Sequence, residues 1–200
     1  NPAVSTDEIV CQGDFNQKIS GLAAWVPDAA PGAALFFGVN RSVDTSRLGG
    51  VRFDGAALAN KVARLTAASA RLAREGGRPS HCIMNHVDYG ELLDELNQKV
   101  DYAEVASYER GDISFAGMRL HTPTGTVTVV PDHNCPTGKA YLLQMDTWKL
   151  YSLGGAPKIL QTDGMRFLRE SSADGVEVRV GYYAQLGCRA PGYNCVITGF

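Results

Sequence analysis

The alternation of apolar and polar residues near the C-terminus constrains the fold more than any other feature of this sequence. Val176, Val178 and Val180 alternate with charged residues. This period of two predicts a β-strand with one dry face and one wet face. The run at 182–186 is more continuously apolar, so we expect one long strand that passes from an exposed region into a buried one. A short buried strand is predicted at 195–197, after a proline–glycine turn.

The clearest helix is predicted between Asp54 and the glycine pair at 76–77. Its buried stripe recurs at helical spacing and consists of Leu58, Val62, Leu65, Ala68 and Leu72. The carboxylate of Asp54 is suited to cap the first turn, and the two glycines end the last one. We therefore expect about 21 residues and a rod of roughly 32 Å. The basic side chains of this segment, including Lys61, are expected on its other faces.

The rest of the chain predicts an α+β fold without internal repeats. A strand at 81–84 leads into a second helix, which Asn85 caps and whose buried stripe is Tyr89 with three leucines. Upstream, 29–50 is predicted as loop with one short strand at 35–37. Beyond a turn at 111–112 the pattern is β. The strands predicted there are 118–121, 126–130, 140–145, 148–152 and 165–169, followed by the C-terminal strands.

Composition excludes several classes of protein. With 200 residues, 44% hydrophobic and 20% charged, the chain is typical of one globular domain or two small ones. A net charge of −2 with scattered lysines and arginines argues against a nucleic-acid binder, whose affinity depends on a basic surface. Five cysteines without short spacings indicate reduced thiols in a cytosolic compartment. No run approaches 18 apolar residues, so no membrane-spanning segment is predicted.

Histidine, cysteine and acidic side chains are the candidates for metal binding in this sequence. His81, Cys82 and His86 could ligate a metal, but a strand directs 81 and 82 to opposite faces and no second ligand pair follows. Asp94 and Glu95 are adjacent on a helix and point apart, which favours a solvated face. The predicted metal and cofactor sets are therefore empty.

A second candidate is a nucleophile and base in the loop at 131–136. It contains His133 and Cys135, with Cys82 as the other possible thiol. No strained elbow or glycine-rich oxyanion loop accompanies them, so we predict no catalytic residue and no enzymatic activity. Cys188 and Cys195 could pair if oxidised, but buried free thiols are favoured. The Arg-Gly-Asp tripeptide at 110–112 is expected to form a turn.

Five segments together resemble a known family. They are Ile19–Val26 followed by Gly38–Ser42, the 58–72 helix followed by His81–Tyr89, Ile113–Leu120, Thr137–Asp146, and the C-terminal strands. In this order they resemble the C-terminal portion of a tailed-phage major capsid protein of the Hong Kong 97 type. His86 stands where that family often has proline, and Arg119 also departs from a usual proline.

The resemblance implies a two-part shell subunit. Residues 22–152 would form an axial domain with a central sheet and flanking helices. Residues 153–186 would be long strands of a peripheral domain, 187–200 a return strand in the axial domain, and 1–21 the end of the spine region. Such subunits assemble into pentamers and hexamers of an icosahedral capsid that encloses double-stranded DNA. The implied location is the virion, after assembly in the host bacterial cytoplasm.

The same resemblance implies partners for this chain, and the sequence also departs from the family pattern in two respects. The implied partners are other copies of the chain, with scaffold, portal and decoration proteins, and neither a membrane nor a specific nucleic-acid sequence. The family's N-terminal arm, extended loop and spine helix are not visible, so we expect a piece of a longer subunit. A self-crosslinking asparagine would fall near Ala173 and Asp174, which lack a carboxamide, so no crosslinking is expected. An encapsulin-like nanocompartment subunit and a cytosolic enzyme remain the alternatives.

Overall fold

The computed structural model describes residues 19–96, 118–155, 158–159, 164, 167–169, 175–178 and 180–200. The α-helices are α1 (Leu22–Trp25), α2 (Lys61–Arg74) and α3 (His86–Leu96). The strands are β1 (Leu35–Phe36), β2 (Val39–Asn40), β3 (Val51–Asp54), β4 (His81–Met84), β5 (Met118–Thr122), β6 (Gly125–Pro131), β7 (Lys139–Leu143), β8 (Trp148–Ser152), β9 (Lys158–Ile159), β10 (Leu168–Arg169), β11 (Val176–Glu177), β12 (Val180–Gly181), β13 (Ala184–Cys188) and β14 (Cys195–Thr198). Within these residues no helix is long and apolar enough to cross a membrane.

The chain divides into two compact units. The larger unit is Gly21–Lys149 with Cys188–Phe200, and the smaller unit is Asn1–Ser20 with Leu150–Gly187. The larger unit contains α1, α2, α3 and a six-stranded sheet in the order β3-β14-β7-β4-β6-β5. The smaller unit contains the two-stranded pairs β9–β12 and β10–β11, and most of the β8–β13 pair.

The six-stranded sheet mixes parallel and antiparallel pairs. β14 runs parallel to β3 and antiparallel to β7, and β4 runs parallel to β6 and antiparallel to β7. β5 and β6 form an antiparallel hairpin at the far edge. The last strand of the chain therefore enters the sheet between two strands that lie far upstream, which joins the C-terminus to the body of the larger unit.

Both faces of this sheet are buried, and alternate residues of each central strand point to different clusters. On one face Cys82 and Leu142 pack with α2 and α3, whose core residues include Leu65, Leu72 and Leu92. The other face packs against the region of α1. Its cluster consists of Val26, Cys135, Tyr141, Leu143 and Val196, with Leu22, Trp25, Ile83 and Trp148 at its margin. Burial on both sides explains why β7 and β14 are apolar at nearly every position.

Several predictions of local structure are confirmed. β4 has the bounds expected from the sequence, and the backbone N–H of Val87 donates to Asn85 Oδ1 at 3.0 Å, as a cap of α3 should. Leu92 is fully buried, and Tyr89, Leu93 and Leu96 pack against the same core. The turn at 111–112 and the strand residues at 165–166 lie outside the described residues.

The predicted start of the first long helix is wrong. α2 has 14 residues and begins at Lys61, so Leu58 precedes it. Asp54 ends β3 instead, and its carboxylate accepts from the N–H of Ala56 at 3.0 Å in a turn. Asn60 at the N-cap position makes no side-chain cap. Glu95 of α3 supplies it: its carboxylate accepts from Lys61 N at 3.1 Å and from Val62 N at 3.4 Å.

The single long C-terminal strand is also wrong. The segment forms β11, β12 and β13, because each piece pairs with a different strand: β10, β9 and β8 respectively. The valine face that was expected to be dry is exposed, with Val176 at 66% of its full accessible surface. The alternation therefore identified which valines share a face but not whether the chain itself covers that face. β3 and β2 were not predicted as strands.

Candidate functional site

The histidines and cysteines considered as metal ligands do not converge. Cys82 is fully buried, where desolvation raises its pKa, while His86 is exposed on α3. His81 is half-buried, its Nδ1 lies 2.9 Å from Ser80 Oγ, and burial lowers its pKa. Among the described residues no group of three histidine, cysteine or acidic side chains could hold a metal ion.

The loop at 131–136 places its two candidate catalytic groups in different surroundings. Cys135 is buried, and its Sγ lies 3.5 Å from the carbonyl oxygen of Lys139. Desolvation raises the pKa of Cys135 to about 11, with a further contribution from Asp132. His133 is exposed. Because the thiolate is the nucleophile, a thiol with this pKa is a poor one near neutral pH.

A buried ion pair joins the two helices to the sheet. Lys61 Nζ lies 2.8 Å from Asp88 Oδ1 and 3.2 Å from Glu91 Oε2, and both Lys61 and Asp88 are nearly inaccessible. The ammonium also lies 4.6 Å from the centroid of the Phe200 ring. The second oxygen of Asp88 accepts from the N–H of Gly138 at 2.8 Å. Each charge is therefore compensated, as burial requires. This arrangement links α2, α3 and the residue that precedes β7.

A second buried polar centre fixes the return of the chain. Asn194 is fully buried, and its Oδ1 accepts from Gln144 N at 2.9 Å and from Trp148 Nε1 at 2.8 Å. Its Nδ2 donates to Ala190 O at 3.0 Å and to Thr147 Oγ1 at 3.2 Å. The Asn194 side chain thus connects the residues between β7 and β8 to those just before β14. Both its oxygen and its nitrogen have hydrogen-bond partners, as a buried amide requires.

Two sets of exposed apolar side chains stand out among the described residues. In the smaller unit we call the following set the ribbon residues: Leu150, Tyr151, Leu153, Phe167, Val176, Val178, Val180 and Tyr183, all exposed. In the larger unit a second set, the hairpin patch, consists of Leu35, Phe37, Val39 and Val43. Exposed apolar side chains that lie together in a patch are typical of surfaces that contact other proteins.

A comparison with known families shows what kind of protein this chain is. A family model described as the SU10 major capsid protein matches residues 7–199. The chain belongs to that family. A major capsid protein is a structural subunit of a phage shell. The resemblance to tailed-phage major capsid proteins of the Hong Kong 97 type is confirmed.

A solved structure supports the same fold. The chain is similar to a chain of the cyanophage A-1(L) capsid asymmetric unit, with 19% sequence identity and a TM-score of 0.59. The alignment covers 91% of this chain and 59% of the cyanophage chain, so this chain spans less than two thirds of the length of that relative. No curated protein matches the chain. Neither the family match nor the structural match supports a nanocompartment subunit or a cytosolic enzyme.

Sequence reasoning found only part of the candidate site. The alternation at 176–180 marked one row of ribbon residues, although it was interpreted as a buried face. The apolar run at 35–37 was noted only as a short strand. Its signal was available, since no charged residue occurs from 29 to 40 and a phenylalanine–glycine pair stands at a turn. The segments Ile113–Gly117 and Ala173–Asp174 lie outside the described residues.

Proposed function

We propose that this chain is the shell-forming portion of a major capsid protein that assembles into pentamers and hexamers of an icosahedral capsid around the double-stranded DNA of a tailed phage. The family match across residues 7–199 carries the proposal. Its partners are other copies of the same chain, together with scaffold, portal and decoration proteins of the virus. Assembly takes place in the host bacterial cytoplasm.

The two units correspond in this proposal to the two parts of such a subunit. The larger unit is the axial domain, which clusters around fivefold and sixfold axes and includes the return strand at 187–200. The smaller unit carries the peripheral strands at 153–186, and 1–21 is the end of the spine region. The ribbon residues support this division, because thin paired strands cannot bury both of their own faces and need neighbours to do so.

The subunit has a structural role without catalysis. The buried Lys61–Asp88 pair and Asn194 connect the helices and strands of the larger unit by hydrogen bonds and ion pairs, not by groups placed for a reaction. Each contact between copies is modest, and their number holds a closed shell together. The net charge of −2 fits a wall that encloses DNA without binding it tightly.

Electron microscopy of the full-length gene product tests the proposal. The gene is expressed in bacteria with the viral scaffold and protease, and particles are imaged in negative stain. Uniform icosahedral shells are expected, and shells of the same size are expected from the His133→Ala variant, which changes an exposed loop residue. Monomers or dimers alone would contradict the shell role, and shells that copurify with a protein cargo instead of viral DNA would point to a nanocompartment.

A further inference from the structure

The hairpin of β1 and β2 has an unusual tip. The strands pair antiparallel, with Phe36 opposite Val39, and the loop between them consists of Phe37 and Gly38. Both loop residues have positive φ, at 48° and 78°. Two-residue hairpin loops of this kind favour Asn-Gly, because asparagine tolerates the left-handed conformation far better than a bulky side chain does. Phe37 is therefore held in a strained conformation that the surrounding structure must maintain.

Aromatic packing holds the base of the hairpin. The Trp25 ring stacks on Phe37 with centroids 5.6 Å apart and meets Phe36 edge-on at 5.0 Å. Arg41 Nη1 donates to the carbonyl oxygen of Ala24 at 2.7 Å, and its guanidinium lies 4.1 Å from the Phe36 ring centroid. These contacts attach the hairpin to the end of α1. The conformation of the tip is therefore set before it contacts a partner.

Holding the hairpin against α1 has an energetic cost. Arg41 Nε is buried and has no hydrogen-bond partner, and burial lowers the pKa of the Arg41 guanidinium. A buried donor without a partner is unfavourable, as is a phenylalanine at positive φ. The contacts of Trp25 with Phe36 and Phe37 and the hydrogen bond from Arg41 to Ala24 offset these two costs.

The tip presents apolar groups on both faces. Phe37 is 59% exposed and Leu35 69%, and Leu35 lies opposite Asn40, away from the face of Val39. Val43, which is 80% exposed, lies in the 3-10 turn that follows β2. Summed over the four residues of the hairpin patch, the exposed apolar surface is on the order of 400 Å². A stable dimer needs about 800 Å² on each partner. The patch is therefore too small to hold two subunits alone, but suits a contact that is repeated many times in a shell.

Charge favours a protein partner over nucleic acid. Residues 29–40 contain no charged side chain, Arg41 is directed inward, and Arg47 lies 3.8 Å from the carboxylate of Asp44. Phosphate binding depends on unpaired cations, so this tip has little to offer DNA. In a shell each subunit is surrounded by identical subunits. The protein surface available to the tip is therefore that of another copy.

We propose that the hairpin patch is a contact between neighbouring copies of this chain, in which the tip of one copy packs on a different surface of the next. Such head-to-tail contacts close into rings around a symmetry axis. The proposal rests on the shell function proposed above and identifies one of its contact surfaces. Other occupants, namely a decoration protein or residues 1–18 of the same chain, are distinguished by the test.

A turn-compatible substitution separates assembly from folding. Phe37→Asn creates the favoured Asn-Gly loop, which offsets part of the lost ring contacts with Trp25 and Phe36, so the variant is expected to fold with a melting temperature close to that of the parent. Its concentration threshold for shell assembly is expected to rise about tenfold or more, the effect of losing a central aromatic contact. Val87→Asn is the matched control, since Val87 is similarly exposed on α3. Both are measured in the full-length product by gradient sedimentation and microscopy.

Photocrosslinking identifies the occupant. Benzoylphenylalanine replaces Phe37 in the full-length product, shells are irradiated, and crosslinked peptides are sequenced from mixed isotope-labelled and unlabelled subunits. Crosslinks between labelled and unlabelled copies support the proposal. Crosslinks only within one copy or to another protein would overturn it, as would equal assembly thresholds for Phe37→Asn, Val87→Asn and the parent. Failure of the parent itself to form shells would instead refute the proposed function.

Discussion

Removing the buried ammonium of Lys61 should destabilise the larger unit far more than removing an exposed one. Lys61→Met keeps most of the aliphatic chain but leaves Asp88 buried, with the N–H of Gly138 as its remaining partner. Leaving one member of a buried pair uncompensated costs about 3–5 kcal/mol. The lost contact with the Phe200 ring adds on the order of 0.5 kcal/mol.

The measurement is urea unfolding followed by far-UV circular dichroism, with melting temperature as a second readout. For a chain of this size the loss corresponds to a fall in melting temperature of roughly 10 °C. Lys139→Met is the matched control, because Lys139 pairs with Asp28 at a site where both side chains are partly exposed. That pair should contribute about 1 kcal/mol or less.

A double variant tests the cause of the loss. Lys61→Met with Asp88→Leu removes both charges, so most of the stability should return. A residual loss of about 1–3 kcal/mol is expected because the N–H of Gly138 then has no acceptor. The reasoning is refuted if Lys61→Met costs no more than Lys139→Met, or if the double variant is no more stable than Lys61→Met alone.

Three further predictions concern the cap, the buried amide and the thiols. Glu95→Ala should lower the free energy of unfolding by about 0.5–2 kcal/mol through loss of the cap of α2, and an unchanged urea midpoint would contradict this. Asn194→Ala should cost at least about 2 kcal/mol and change Trp148 fluorescence, because four hydrogen bonds are lost. Between about pH 9 and 11 stability should fall, since Cys135 stays protonated in the folded chain and ionises in the unfolded one. Cys135→Ala should reduce that slope in urea titrations, and a slope equal to that of the parent would contradict the assignment.

Local pattern predicted those elements whose burial is set by near neighbours. β4 and the cap of α3 were found from the sequence, because alternation and a capping asparagine act within a few residues. The short buried strand predicted at 195–197 likewise corresponds to β14, whose first three residues are buried. The family resemblance added the order of the elements, which no single motif determines.

Features that depend on residues far apart in the sequence were decided by the tertiary structure. The start of α2 depends on Glu95, more than 30 residues downstream, and the burial of Lys61 depends on Asp88 and on Phe200 at the end of the chain. The pattern at 176–180 showed that the valines share a face, but the number of pairing partners broke that segment into short strands and left the face exposed. Side-chain periodicity is a property of the local backbone, whereas burial depends on which surfaces come together, and in a shell protein some of those surfaces belong to neighbouring copies.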